Sequence, residues 1–329
     1  MKTTMTTVTR RLAVAAIGCS ALAAAMTMPA KADWPEKSIT IIAHFAPGGS
    51  NDLLARLIAT ELSPIIGQGV VVENRPGANG NIGVTTVSEA APDGYTLLVA
   101  SGSALVNPSI GPVSYDLMKD FEPIAYLGAS PNVVLAGPTS GVKTLDELVA
   151  KAKAEPGSLN YASPGIGSTP HLAMELLKLR LGLDVAHIPY TGLGPALTAV
   201  LGGETELSST TVAGVMENIR TGRLTPIVQT GKQRWPELPD VPTIEEAGVE
   251  NAASETSQML LAPAGTPPEI LQRLAEEVLK IMQKQEVKDR MLAAGFAVNA
   301  EGPEELRKRM ADEIQTWKEV AEKAGIRRE

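Results

Sequence analysis

From residue 38 to residue 262, short β-branched and apolar runs alternate with segments whose apolar positions recur every three or four residues. Runs at 39–45, 70–73, 95–100, 132–136, 159–162, 185–188, 224–229 and 259–262 predict strands. Between the first two, Leu53, Leu54, Leu57, Ile58, Leu62 and Ile65 keep one helical face and predict a helix lying on a sheet. This alternation is the signature of an α/β fold built around mainly parallel sheets. After Pro267-Pro268 the pattern becomes purely helical. One stripe comprises Ile270, Leu271, Leu274, Val278, Ile281 and Met282, and a second, starting after Gly302-Pro303, comprises Leu306, Met310, Ile314, Trp317, Val320 and Ala324.

No strand run follows these helices, so their apolar faces must return to a sheet already built, most simply the first. The first domain is then discontinuous and the middle of the chain is an insertion, with crossings near 132–138 and 259–263. The expected division is a leader at 1–32, one lobe from 33–133 with 260–329, and a second lobe at 134–259. An internal echo supports two similar halves, since residues 39–58 and 159–177 both read as strand, glycine-rich turn and helix.

Lys2, Arg10 and Arg11 precede an apolar run over 12–25, and Ala30-Lys31-Ala32 forms a small-x-small site before Asp33, the pattern of a secretory signal peptide. The run is short of the ~20 residues needed to span a bilayer. Cys19, the only cysteine, lies within it. A lipoprotein reading therefore competes, although Ala16-Ile17-Gly18 is a poor lipidation signal. Cleavage after Ala32 leaves a chain without thiols, which removes disulfides, cysteine nucleophiles and zinc-thiolate sites. It also leaves 25 basic against 37 acidic residues, a net charge of −12, and no basic cluster interrupts that background, which argues against nucleic-acid binding.

Chemistry concentrates where strands end. The first turn carries Phe45, Ala46, Pro47, Gly48, Gly49, Ser50, Asn51 and Asp52, with glycines for close backbone approach and three capping residues. Free N–H groups and the positive end of the helix dipole make such a turn an anion site. A second turn has the same construction, with Ser163, Gly165, Gly167, Ser168 and Thr169 leading through Pro170 to His171. Either alone reads equally well as a tight turn plus a cap. As a pair, one per lobe, they favour ligand capture across a cleft. Tyr190, Thr191 and Gly192 form another strand-to-loop corner, and Ser101, Ser103 and Asn107 follow the third strand. Ligands of open α/β sheets gather at the carboxyl ends of strands. None of these four segments contains Lys or Arg, so a bound anion would rest on backbone N–H groups, hydroxyls and waters.

Other chemistries fit less well. The first turn lacks the Gly-Lys-Ser/Thr of a phosphate loop, and Pro170 stands where a dinucleotide fingerprint needs its third glycine. Ser168, three residues before His171, leaves a secreted serine hydrolase as an alternative, without the Gly-x-Ser-x-Gly elbow. His44 and His187 read as structural. Three scattered histidines without clustered carboxylates give no metal site, and no cofactor is expected. Aromatics at 3% disfavour a sugar-stacking pocket, while Tyr190 leaves room for an aromatic acid.

The chain resembles the periplasmic solute receptors of tripartite tricarboxylate transporters, the Bug proteins, from about Trp34 to the C-terminus. The resemblance lies in Trp34-Pro35, the turn from Phe45 to Asp52, and Val71-Val72-Glu73-Asn74-Arg75-Pro76-Gly77-Ala78-Asn79-Gly80-Asn81-Ile82-Gly83. It continues through Ala91-Pro92-Asp93-Gly94-Tyr95, Leu159-Asn160-Tyr161-Ala162-Ser163, Ile188-Pro189-Tyr190-Thr191-Gly192, Leu238-Pro239-Asp240-Val241-Pro242-Thr243 and Leu261-Ala262-Pro263-Ala264-Gly265-Thr266-Pro267. It implies two Rossmann-like lobes joined by a hinge, of the type II periplasmic binding-protein kind, that close on a carboxylated solute held between the two glycine-rich turns. It further implies a non-enzymatic, monomeric periplasmic receptor that delivers its solute to membrane permease subunits, with a sensing module for a signalling partner as the alternative. The sequence departs from the family pattern at Thr256-Ser257-Gln258-Met259, where relatives commonly carry an aromatic residue and a glycine. It departs again at Thr210-Thr211, where they carry an acidic or amide neighbourhood. These differences bear on the ligand, and Thr210 joins the candidate contacts.

Overall fold

The computed structural model describes residues 34–48, 50–250 and 252–327. The expectations for residues 1–32, including Cys19, and for Gly49 fall outside the described residues. The first half builds β1 (Ile39–Ala43), α1 (Ser50–Ile66), β2 (Val70–Asn74), α2 (Asn81–Ser88), β3 (Thr96–Ser101) and α3 (Ser103–Ile110). Then follow β4 (Phe121–Ala136), α4 (Leu145–Ala154), β5 (Leu159–Ser163), α5 (Thr169–Leu181), β6 (Val185–Pro189), α6 (Leu193–Gly202) and β7 (Leu207–Thr211). The remainder is α7 (Met216–Arg220), β8 (Thr225–Gln229), β9 (Glu255–Pro263), α8 (Pro268–Gln283), α9 (Gln285–Ala293) and α10 (Pro303–Ala324).

The strands run in the order β2-β1-β3-β9-β4-β7-β5-β6, with β8 also paired to β4. Pairing is parallel within β2-β1-β3 and within β7-β5-β6. The two long strands between these groups run antiparallel to their neighbours, so the sheet is mixed rather than mainly parallel. The reason is topological: β4 leads the chain out of the first group and β9 brings it back, so the pair must run in opposite senses. Their ladder extends from Phe121 opposite Pro263 to Pro131 opposite Glu255, with register shifts at Pro123/Ala125 and Tyr126/Gly128. Those shifts absorb residues that cannot sit in a regular ladder.

All eight expected strands are present. The strand segments that the hydrophobic pattern misses are β7, residues 121–131 of β4 and the opening residues 255–258 of β9. In β7 the sequence Leu-Ser-Ser-Thr-Thr carries almost no apolar signal although Leu207, Ser208, Ser209 and Thr210 are all buried, and the early part of β4 is masked by Pro123, Gly128 and Pro131.

The α1 stripe is buried at Leu54, Leu57, Ile58 and Leu62, but Leu53 and Ile65 are 47% and 39% exposed. At 100° per residue the buried face is centred on Asn51, Leu54, Ala55, Ile58 and Leu62, and Leu53 lies off it. In α8, Ile270, Leu274, Val278, Ile281 and Met282 are buried as expected, with Leu271 half-buried. The short α9, with only Val287 and Met291 buried, is an additional element too weakly striped to stand out. The last helix, α10, serves two cores. Leu306 and Met310 join Leu98, Ala100, Leu105 and Met259, whereas Trp317, Val320 and Ala321 join Val134, Leu159, Leu177 and Val228. Each fully buried Leu, Val or Phe side chain contributes about 1.5–3 kcal/mol, so α10 ties both ends of the sheet together through apolar contact.

Candidate functional site

The turn after β1 is held by its own polar side chains. Asp52, buried at the start of α1, accepts the Gly48 N–H at 2.9 Å, the Asn74 amide at 2.9 Å and the Arg56 Nε–H at 3.0 Å. Burial pushes the Asp52 carboxyl up, but Arg56, the Gly48 N–H and Asn74 together outweigh it and hold the group below the usual carboxylate range. Asn74 also donates to the Phe45 carbonyl at 3.0 Å. Asp52 is therefore an anchor for the turn, and its negative charge is unsuited to meeting an anion. Asn51 donates to the Val99 carbonyl and to Gln258 Oε1, both at 2.9 Å. A carbonyl can only accept, so this bond fixes the amide orientation and leaves the buried Asn51 Oδ1 without a protein partner. Ala46, Pro47 and Gly48 are exposed, with Phe45 and Ser50 half-buried.

His44 links this turn to the next. Its Nε2 accepts the Ser101 N–H at 2.9 Å, so the ring proton sits on Nδ1, facing the Gly80 carbonyl at 3.3 Å. Burial pulls its pKa down to about 4 and keeps it neutral at neutral pH. A Cβ at Gly80 would overlap the imidazole, and one at Gly83 would stand 2.7 Å from His44 Cβ. Those glycines exist to let the ring in, which gives residues 74–83 a structural role. Ser101 and Ser103 hydroxyls bond each other at 2.8 Å. Asn107 spends its side chain on the 78–81 turn: it donates to the Asn79 carbonyl at 3.0 Å and to Asn81 Oδ1 at 2.6 Å, and accepts from the Asn79 amide at 2.9 Å.

In the second turn, Ser168 caps α5. Its Oγ accepts the His171 N–H at 3.4 Å and donates to the Gly165 carbonyl at 2.8 Å. His171 Nδ1 accepts the Gly167 N–H at 3.1 Å, and Ser163 Oγ accepts the Gly165 N–H at 3.2 Å while bonding His187 Nε2 at 2.7 Å. No carboxylate is hydrogen-bonded to either imidazole among the described residues. The Ser168 hydroxyl faces backbone rather than the His171 ring, so the serine-base pair that a hydrolase needs is not formed there.

Close approaches join the segments. A Cβ on Gly167 would overlap Ile110 Cδ1 and stand 3.2 Å from Asn79 Nδ2, and one on Gly102 would lie 3.0 Å from Ser257 Oγ and 3.4 Å from Thr169 Oγ1. The Tyr190 N–H donates to the Ser163 carbonyl at 3.0 Å. The segments after β1, β3, β5 and β6 thus form one connected set at the carboxyl ends of their strands. Thr210 stands apart, inside β7 opposite Val133, with its buried hydroxyl unpartnered. Tyr190 and Gly192 are half-buried and Thr191 is exposed. Asn74, Gln258, Asn79 and Tyr161 support these turns; the sequence marks them only as members of segments that match or depart from the family pattern, not as candidate site residues. Each acts through a partner far away along the chain, and local pattern carries no signal of that. Two open surface cavities of about 520 and 580 Å3, one beside Ala78, Asn81, Ile82 and Val113 and the other between α8 and α10, share no residue with the turns at 45–52 and 163–169. Among the described residues no helix is long and apolar enough to cross a membrane.

Residues 54–326 match the model of the tripartite tricarboxylate transporter family receptor. The chain is 36% identical over 323 residues to protein BugT of Bordetella pertussis, covering 97% of this chain and 98% of that one. Among solved structures it is similar to Rhodopseudomonas palustris Rpa4515 with adipate, at 31% identity and a TM-score of 0.83 over 90% of this chain and 99% of that one. It is also similar to MatC of the same organism with bound malate, at 32% identity and a TM-score of 0.77 over 87% and 99%. The chain belongs to the tripartite tricarboxylate transporter receptor family of solute-binding proteins.

Proposed function

We propose that the protein is a periplasmic receptor that closes two lobes over a small carboxylate and hands it to a membrane permease. The observation that carries this reading is the pair of cation-free strand-to-helix turns, 45–52 and 163–169, each opening a helix whose first N–H groups lack intrahelical acceptors. Structural relatives that hold adipate and malate support the ligand class. In this reading residues 33–133 with 260–329 form one lobe and 134–259 the other, with β4 and β9 as the hinge strands. Residues 1–32 serve as the export signal, the receptor acts as a monomer, and no catalysis or cofactor is involved. Ser50, Ile166 and Thr169 are the candidate donors, whereas Asp52, Asn107 and Ser168 shape the turns and Asp52 takes up the Gly48 N–H.

Energetically the scheme is modest. A ten-atom acid at roughly −0.3 to −1.5 kcal/mol per heavy atom spans about −3 to −15 kcal/mol, which brackets the ~−8 kcal/mol of micromolar binding. The test is a thermal-shift screen of mono-, di- and tricarboxylates, amino acids and aromatic acids on the processed protein, followed by calorimetry. Stabilisation by one or a few carboxylates is expected, with loss of that stabilisation when Gly48 is replaced by Val. A response confined to cationic or sugar ligands would refute the reading.

A further inference from the structure

Behind the second turn lies a three-ring stack. The imidazoles of His171 and His187 are 3.9 Å apart between centroids and 18° from parallel, and Tyr161 stacks on His187 at 4.8 Å and 25°. Each imidazole holds one end of the turn: His171 Nδ1 takes the Gly167 N–H, and His187 Nε2 bonds the Ser163 hydroxyl that itself takes the Gly165 N–H. Ser168 N–H is consumed by the Gly165 carbonyl, and Pro164 and Pro170 have no N–H. That leaves the Ile166 and Thr169 N–H groups as the turn's candidate donors to a ligand.

We propose that His171 and His187 are positioning residues, a neutral stacked pair that pins residues 163–169 in their ligand-presenting shape, and that the Gly167 end of the turn is let go when His171 takes up a proton. The inference rests on the reading of this turn as a capture turn. The geometry is incompatible with an imidazolium. A proton on His171 Nδ1 would point at the Gly167 N–H, donor against donor, and would place a cation 3.9 Å from a second basic ring. The groups facing the pair are Tyr161 on β5 and, on α5, Glu175 and Lys178. Glu175 accepts from the Tyr161 hydroxyl at 2.7 Å and from Lys178 at 2.6 Å. Neither α6 nor β7 carries an ionisable residue, and α10 presents Trp317, Val320 and Ala321 on this side. Burial, then Lys178, pulls His171 down to about 4. Burial, then His171 and Lys178 against an opposing Glu175, pulls His187 to about 3.

The sign follows. As pH falls from 6.5 toward 4, a loosened turn with solvated rings binds protons that the pinned turn refuses, so acid favours loosening, by about thirtyfold for His171 at pH 5.

The experiment uses the 15N-labelled processed protein without ligand. It measures imidazole nitrogen shifts and Gly167 amide exchange, corrected for intrinsic pH dependence, from pH 8 to pH 5. The wild type is expected to show an unprotonated His171 Nδ1 and a protected Gly167 at pH 7.5, with protection falling at least tenfold by pH 5. His171→Asn, whose Oδ1 replaces Nδ1 and does not titrate, retains protection at pH 5. His171→Phe, which keeps a stacking ring but no acceptor, loses it at every pH. Ordinary titration of His171 near 6.5 with unchanged Gly167 protection overturns the proposal, as does the same pH dependence in the wild type and His171→Asn. These readouts need no ligand, so a failed carboxylate screen would count against the receptor reading while leaving this test to be decided by the amide.

Discussion

Gly295→Ala probes whether the two halves of the molecule move against each other. Gly295 follows α9 with φ +82°, and a Cβ there would overlap the Cα and Cβ of Ala213 and stand 2.8 Å from its nitrogen. Ala213 lies in the turn after β7, in the proposed inserted lobe, whereas Gly295 belongs to the other. Carbon atoms pack at about 3.5–4.0 Å, so the two backbones must part by about 1 Å or more. Gly182→Ala is the matched control, with φ +63° and nothing within 4 Å. Both substitutions carry the left-handed backbone cost of about 1–2 kcal/mol. Only Gly295→Ala adds an overpacking cost of about 1–3 kcal/mol. If the lobes hinge, opening relieves that extra cost. Urea unfolding should then give similar losses for both variants. The added cost instead falls on the closed form and weakens binding of the best carboxylate about 5- to 150-fold relative to Gly182→Ala, as measured by calorimetry. Equal affinities in the two variants would refute the reasoning. Accompanied by an extra stability loss in Gly295→Ala, they would mark a static contact; without one, they would mean that Ala213 and Gly295 do not meet.

Two further outcomes test the electrostatics. Asp52→Asn should destabilise the protein by about 1–3 kcal/mol at neutral pH, because it removes the charge that pairs with Arg56 and turns one of the two acceptor oxygens into a donor facing either Asn74 or Gly48 and Arg56. Because the folded-state pKa of Asp52 lies below its ordinary value, that stabilisation is present above about pH 4 and lost below it, so the urea midpoints of variant and wild type should converge in acid. Glu313 on α10 has the opposite sign. Burial pushes it up to about 7, against a Ser257 hydroxyl bond at 3.0 Å and Arg309, which lower it. Its contribution is present below about pH 4.5 and lost as pH rises through about 7, so Glu313→Gln should gain stability on the wild type between pH 4.5 and 8. A constant difference in urea midpoints across that range would rule this out.

Much of the architecture was legible because secondary structure and its burial leave a periodic trace. The strand runs, the stripes at Leu274, Val278 and Ile281, and the Gly302-Pro303 start of α10 all survived in the structure. The candidate turns were legible from glycine, proline and capping residues, which act over a few positions. What each polar side chain does was not. Asp52, Asn107 and Ser168 read in the sequence as candidate ligand contacts, and the hydrogen bonds by which they tie the turns together have no local signature. The apparent Ser168–His171 pair became a cap beside an imidazole that holds Gly167.

The sequence by itself determined an α/β chain with cation-free, glycine-rich turns at its strand ends, since those features follow from local preference and hydrophobic period. Only the tertiary structure decided that β4 and β9 run antiparallel between two parallel groups, that α10 packs on two cores, and that three rings from β5, α5 and β6 stack behind one turn. Partners such as His44 with Ser101 or Asn51 with Gln258 are brought together across 57 and 207 positions, and the energy of a hydrogen bond depends on burial and orientation that no local window encodes.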